Sequence, residues 1–288
     1  EKIVNTNELN ELVGEVKLKS ERSSSTDITI ELYAYKAYWD GSDTVRQLGN
    51  ITLSGCDVDA IGAINITSGE SLNITNNTNI NTNNAINIEL ENTNNNNQYV
   101  GDFVFESGRI EAGGMPYITV GNDINIGNDA TFVSTLVTND TINFKTQKGN
   151  ISNYGNIQMQ STLNMQAGQG ASGGTPCLIN GGTIESQGGG LSLTAKNNIT
   201  NNGTIEANDQ IKFAVGGTLT NQGTIESTSS NVQADIGRNF KNIAVYNNES
   251  TENRTLIGGI IEAGGNVQVK YNLDNEGIGV ASSEERID

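Results

Sequence analysis

Carboxylates supply most of the reactive chemistry open to this chain. There is no histidine among its 288 residues, which removes the side chain used most often as general base, metal ligand and triad member. Two acid pairs have suggestive spacing, Asp57 with Asp59 and Asp123 with Asp129, and paired carboxylates are the machinery of glycoside hydrolysis. Each of these acids, however, sits in a short polar pattern that recurs elsewhere in the chain without its partner. The residues therefore name no catalytic group, and the expectation is a protein that is not an enzyme.

A third set of acids repeats with the chain. Glu185, Glu206 and Glu226 each follow Gly-Thr-Ile, and the three phrases begin at Gly182, Gly203 and Gly223. Stacked on one outer face about 5 Å apart, such glutamates could recruit a divalent cation. Solvation and salt screening account for them equally well, and no Asp-rich calcium nonapeptide is present. No metal site and no cofactor are expected.

Aromatic residues give a different kind of candidate. The only Trp and three of the eight Tyr fall together as Tyr33, Tyr35, Tyr38 and Trp39. Exposed, such a cluster contacts sugars or proteins. Covered, it is an extra strand or hairpin whose rings close a seam. The run that carries it, from Asp27 to Trp39, alternates apolar and polar residues and predicts one long strand.

The elements that must position these groups follow from one recurring phrase. Gly108-Arg-Ile-Glu-Ala, Gly182-Thr-Ile-Glu-Ser, Gly203-Thr-Ile-Glu-Ala, Gly223-Thr-Ile-Glu-Ser and Gly259-Ile-Ile-Glu-Ala are variants of a single unit. Around it stand runs with apolar residues two apart, such as Leu191-Ser-Leu-Thr-Ala and Ile211-Lys-Phe-Ala-Val, and polar corners rich in Asn and Gly. A unit of about 20 residues holding two or three short strands is one coil of a parallel β-helix, whereas a propeller blade needs about 40. The fold class is thus all-β, a right-handed parallel β-helix (solenoid) with a non-repeat N-terminal β segment, right-handed because parallel crossovers are. Ile110, Ile184, Ile205, Ile225 and Ile261 should stack as the structural repeat column, with Leu193, Phe213 and Val269 in a second. About 240 residues at about 20 per coil predict on the order of 12 coils and a rod about 55 to 60 Å long.

The chain divides accordingly. Residues 1–47 form an N-terminal β segment, a possible cap or extra-helical hairpin, and residues 48–288 form the helix, with extrusions near 91–100, 168–176 and 246–256 where Asn-rich or Gly-rich stretches interrupt the repeat. Composition agrees: 34 Gly, 2 Pro and 43 Asn leave little room for helix. A net charge of −17 argues against nucleic acid and anionic membrane surfaces as partners. Cys56 and Cys177 are too far apart in the repeat to bridge within one rod, so two isolated buried thiols are expected. The opening Glu-Lys-Ile-Val-Asn has neither an initiator Met nor an apolar leader, which suggests a piece of a longer protein.

The stretch from Gly49 to Ile74, and Ile199-Thr-Asn-Asn-Gly-Thr-Ile-Glu-Ala, resemble the repeats of the filamentous haemagglutinin family, the long exoproteins of bacterial two-partner secretion. The resemblance covers most of residues 48–280. It implies a secreted or bacterial cell-surface rod serving in adhesion, virulence or contact-dependent growth inhibition. The implied partners are a host or bacterial cell-surface receptor or glycan, an outer-membrane transporter during secretion, and a continuation of the same chain. Neither Pro116 nor Pro176 lies in an Asn-Pro-Asn signature of that family's secretion domain, so the segment would be interior rod. The alternative is a carbohydrate-active β-helix enzyme, a polysaccharide lyase or hydrolase, because the fold alone excludes neither.

Overall fold

A computed structural model describes residues 11–23, 27–39, 44–68, 70–90, 100–170, 175–246 and 256–271, with side chains described from residue 49 onward apart from 245–246 and 256–257. Among these residues every regular element is a strand. The chain winds as a parallel β-helix of nine coils between Ile51 and Tyr271, each coil laying one strand on each of three faces. Coil 7 is representative, with Ile199–Asn201 on the first face, Thr204–Ala207 on the second and Ile211–Val215 on the third. In coils 3 and 4 the first two strands run together as Phe103–Ala112 and Ile124–Ser134, which joins the first and second faces into one 16-stranded sheet.

Register explains why these residues make these strands. On the second face Val58, Ile80, Ile110, Phe132, Ile157, Ile184, Ile205, Ile225 and Ile261 are paired one to the next without a gap. On the third face Leu193, Phe213, Ala234 and Val269 do the same. Both predicted columns are present. Ile110, Ile184, Ile205 and Ile225 are buried completely, while Ile261 in the last coil is only partly buried. Burying each such side chain is worth roughly 1.5 to 3 kcal/mol before entropy is counted.

The coil number differs from expectation. Rungs of the second-face column are 20 residues apart between Ile205 and Ile225 but 36 apart between Ile225 and Ile261. Excursions at the corners consume chain without adding a rung, so the described residues hold nine coils where about 12 were expected of 48–288, and eight steps of about 4.8 Å give a described rod of about 38 Å. The predicted extrusions coincide largely with 91–99, 171–174 and 247–255, which lie outside the described residues.

Glycine in the repeated phrase is set by close approach. A Cβ on Gly203 would fall 2.0 Å from the carbonyl oxygen of Gly182, and one on Gly223 would fall 1.9 Å from that of Gly203. Successive turns touch backbone to backbone there, and only hydrogen fits.

Before the first coil lie β1 (Glu11–Ser23), β2 (Asp27–Trp39) and β3 (Thr44–Leu48). The long strand predicted from alternation is β2, with the predicted bounds. It pairs antiparallel with β1 and β3 and parallel with Ile64–Ser68 of coil 1, Ile30 opposite Ile64 and Ala34 opposite Ser68. The N-terminal segment therefore extends the third face, as the outer strands of a 12-stranded sheet.

Candidate functional site

The most regular outer surface is the second face. Its strands put Thr183, Thr204 and Thr224 in one outward column and Glu185, Glu206, Glu226 and Glu262 in the next, each acid in register with the one before. Period-two alternation dictates this, because the intervening Ile points to the core. Glu185 receives two side-chain amides, Nε2 of Gln158 at 3.1 Å and Nε2 of Gln187 at 2.8 Å. Glu206 sits between two other carboxylates. Partial burial, then the charges of Glu185 and Glu226, push its pKa above the usual carboxylate range. Among the described residues, no group of three His, Cys, Asp or Glu side chains is placed to hold a metal ion.

The acid pairs considered for hydrolysis are placed differently. Asp57 and Asp59 share the strand Asp57–Ala60 of coil 1 and are both exposed. Asp57 accepts a hydrogen bond from Nδ2 of Asn79 in the next coil, at 2.9 Å. Asp123 is not brought beside Asp129, since the strand segment Ile124–Ile126 runs between their two corners. Its carboxylate instead accepts the backbone N–H of Asn150 at 2.6 Å, one rung of a corner ladder. In the same ladder Asp102 accepts the N–H of Asp123 at 2.9 Å, Asn150 that of Cys177 at 2.9 Å, and Asn198 that of Thr218 at 2.8 Å. Asp, Asn and backbone thus share one structural task, closing the corner before the first face. Cys177 and Cys56 are free and half-buried, more accessible than the buried thiols expected.

Tyr33, Tyr35, Tyr38 and Trp39 all lie on β2. Their backbone partners are Lys17 and Thr67 for Tyr33, Glu15 and Leu48 for Tyr35, Glu11 and Val45 for Tyr38, and Thr44 for Trp39. Their side chains lie outside the described residues.

One polar array was missed by the sequence reading, which assigned no Asn to the core. Asn153, Asn180, Asn201 and Asn221 point into the core with no solvent exposure. Nδ2 of Asn153 donates to Oδ1 of Asn180, Asn180 to Asn201, Asn201 to Asn221 and Asn221 to Asn242, each at 2.8 Å. The second hydrogen of each amide reaches the backbone of the following coil, for instance the carbonyl of Thr224 from Asn201 at 3.0 Å. The signal was available. Ile151-Ser-Asn153-Tyr-Gly155, Leu178-Ile-Asn180-Gly-Gly182, Ile199-Thr-Asn201-Asn-Gly203 and Leu219-Thr-Asn221-Gln-Gly223 each place Asn two residues after a buried aliphatic, hence on the same face.

Chemically, the described surface is an array of hydroxyls, amides and carboxylates suited to contact, with its interior amides committed to stacking. No family model matches this chain, and neither the characterised proteins nor the solved structures contain a match.

Proposed function

We propose that this chain is a non-enzymatic stalk and adhesive surface of a large secreted bacterial exoprotein, mediating cell or host attachment or displaying a distal effector. The observation that supports this reading best is the unbroken register of nine coils, in which apolar columns, the amide ladder and the corner ladder all run along one axis. Such a body gains length by repetition, since each coil needs only its neighbours. The filamentous haemagglutinin resemblance of the repeats points the same way. Of the acids considered for hydrolysis, Asp123 is engaged in holding a corner, accepting the N–H of Asn150.

The contact surface in this proposal is the aromatic stretch of β2, for a cell-surface receptor or glycan. The test is attachment of host and bacterial cells to immobilised chain, compared with a variant carrying Tyr33→Ala, Tyr35→Ala, Tyr38→Ala and Trp39→Ala. Attachment that the variant loses supports the reading. No attachment by either protein, together with release of oligosaccharides from purified polysaccharides, would replace it with a carbohydrate-active enzyme.

A further inference from the structure

We propose that coil 5, formed by Ile151–Asn153, Asn156–Met159 and Leu163–Ala167, is the weak coil of the rod, the level at which it opens first and divides into two separately cooperative units. In a solenoid each coil contacts only its neighbours, so one poor coil or interface uncouples the parts on its two sides. Three kinds of observation fall on this coil.

The first is polar frustration. Five buried side-chain oxygens among the described residues have no hydrogen-bond partner, and four of them belong to coil 5: Oδ1 of Asn153, Asn156 and Asn164, and Oε1 of Gln166. They are distributed over all three faces. Asn153 is wholly buried, whereas Asn156, Asn164 and Gln166 are half-exposed side chains whose carbonyl oxygens are turned away from water without gaining a donor.

The second is a change of core. Phe103, Phe105, Phe132 and Phe144, among the largest fully buried side chains, all lie in coils 3 and 4, where Phe132 and Phe144 meet edge to face at 5.1 Å. Below them the first-face column turns from Leu53, Ile74, Phe105 and Ile126 to Asn153 and its successors. The amide ladder starts here, and its first carbonyl faces an aliphatic coil.

The third is a change of perimeter. From Ile126 to Phe132 is six residues, whereas from Asn153 to Ile157, the rungs paired with them, is four. The next corner shrinks from residues 135–141 to residues 160–162. Coil 5 must therefore fit a wide coil on one side and a narrow one on the other. Outer bonds tie the two levels together, the N–H of Thr138 donating to Oγ of Ser161 at 2.9 Å and that hydroxyl donating to the carbonyl of Leu136 at 2.6 Å. They satisfy none of the four orphaned oxygens.

Amide hydrogen exchange of the whole chain, read peptide by peptide, tests this. A uniform rod frays from its ends and protects its middle most. A weak fifth coil gives a dip instead, with 151–167 exchanging about tenfold faster or more than 103–120 and 199–215. Two variants should shrink the dip, each deleting one unpartnered carbonyl on an outward column: Asn156→Thr, which continues the column of Thr131 and Thr183, and Gln166→Thr, which matches Thr194 in the next coil. Highest protection at 151–167, or a dip left unchanged in folded Asn156→Thr protein, would overturn the proposal.

Discussion

Nδ2 of Asn201 donates to Oδ1 of Asn221 at 2.8 Å, across two coils of an interior from which both residues exclude water completely. Replacing Asn201 by Ala should remove that donor and also the acceptor used by Asn180, leaving Oδ1 of Asn221 buried and bare. A buried acceptor without a partner costs about 1–3 kcal/mol, and the lost packing adds to it. For a chain of this size that is a fall of several degrees in melting temperature, at about 2–4 °C per kcal/mol. Asn201→Leu restores packing but leaves the same bare oxygen, so it too should melt lower. A wild-type melting temperature in both variants would remove the ladder from the account of stability.

The repeat column makes a sharper contrast. Ile205 is buried completely between Ile184 and Ile225, whereas its neighbour Thr204 points outward. Ile205→Asp places a carboxylate in an apolar column, a change worth several kcal/mol, and should unfold the coils around it or prevent soluble expression. Thr204→Ser should shift the melting temperature by no more than about 1–2 °C, as surface changes do. Equal behaviour of the two variants would show the column to be misassigned.

Glu206 makes stability depend on pH in an unusual direction. Its pKa is raised in the fold by partial burial and by Glu185 and Glu226, so the folded state binds the proton more tightly than the unfolded chain does. The penalty is present in full above the folded pKa. It is relieved as pH falls through that value towards the ordinary glutamate pKa. Glu206→Gln should accordingly melt higher than wild type at neutral pH, with the gap closing by about pH 4. Melting curves of both proteins across that range decide it, and parallel profiles would contradict the assigned cause.

Gly203→Ala tests the close approach of successive turns. The added methyl would lie 2.0 Å from the carbonyl oxygen of Gly182, so the two coils must separate locally. A loss of about 1–3 kcal/mol is expected in chemical denaturation, where an Ala that merely stiffened the unfolded chain would be stabilising. The sign of the change discriminates between the two.

Much of this architecture was legible from spacing. Ile184, Ile205 and Ile225 repeat at nearly constant steps, and a buried column needs little more information than that. The bounds of β2 were legible because its alternation is long. Coil number was not, because an excursion such as the one between Ile225 and Ile261 adds residues but no rung. The Asn ladder was overlooked for a chemical reason. Asn is a common corner residue, and Asn76 and Asn77 do take up the left-handed conformation at a turn, so an amide that points inward must be recognised by parity with its aliphatic neighbour. Parity also separates Thr204 and Glu206, on the outside, from Ile205. Asp123 looked like half of a catalytic pair, since nothing local in the sequence reports that its oxygen meets the N–H of Asn150 one coil away.

The interior amides also give the rod a direction. From Asn153 to Asn221 each side chain hands hydrogens forward to the following coil, and from Asn180 to Asn242 each oxygen accepts from the preceding one. A cut across this stack at any level exposes N–H groups on one fragment and lone pairs on the other. Like ends repel and unlike ends match, so laddered segments of this kind can be joined in only one orientation, and the polarity of the main chain is written a second time in its side chains.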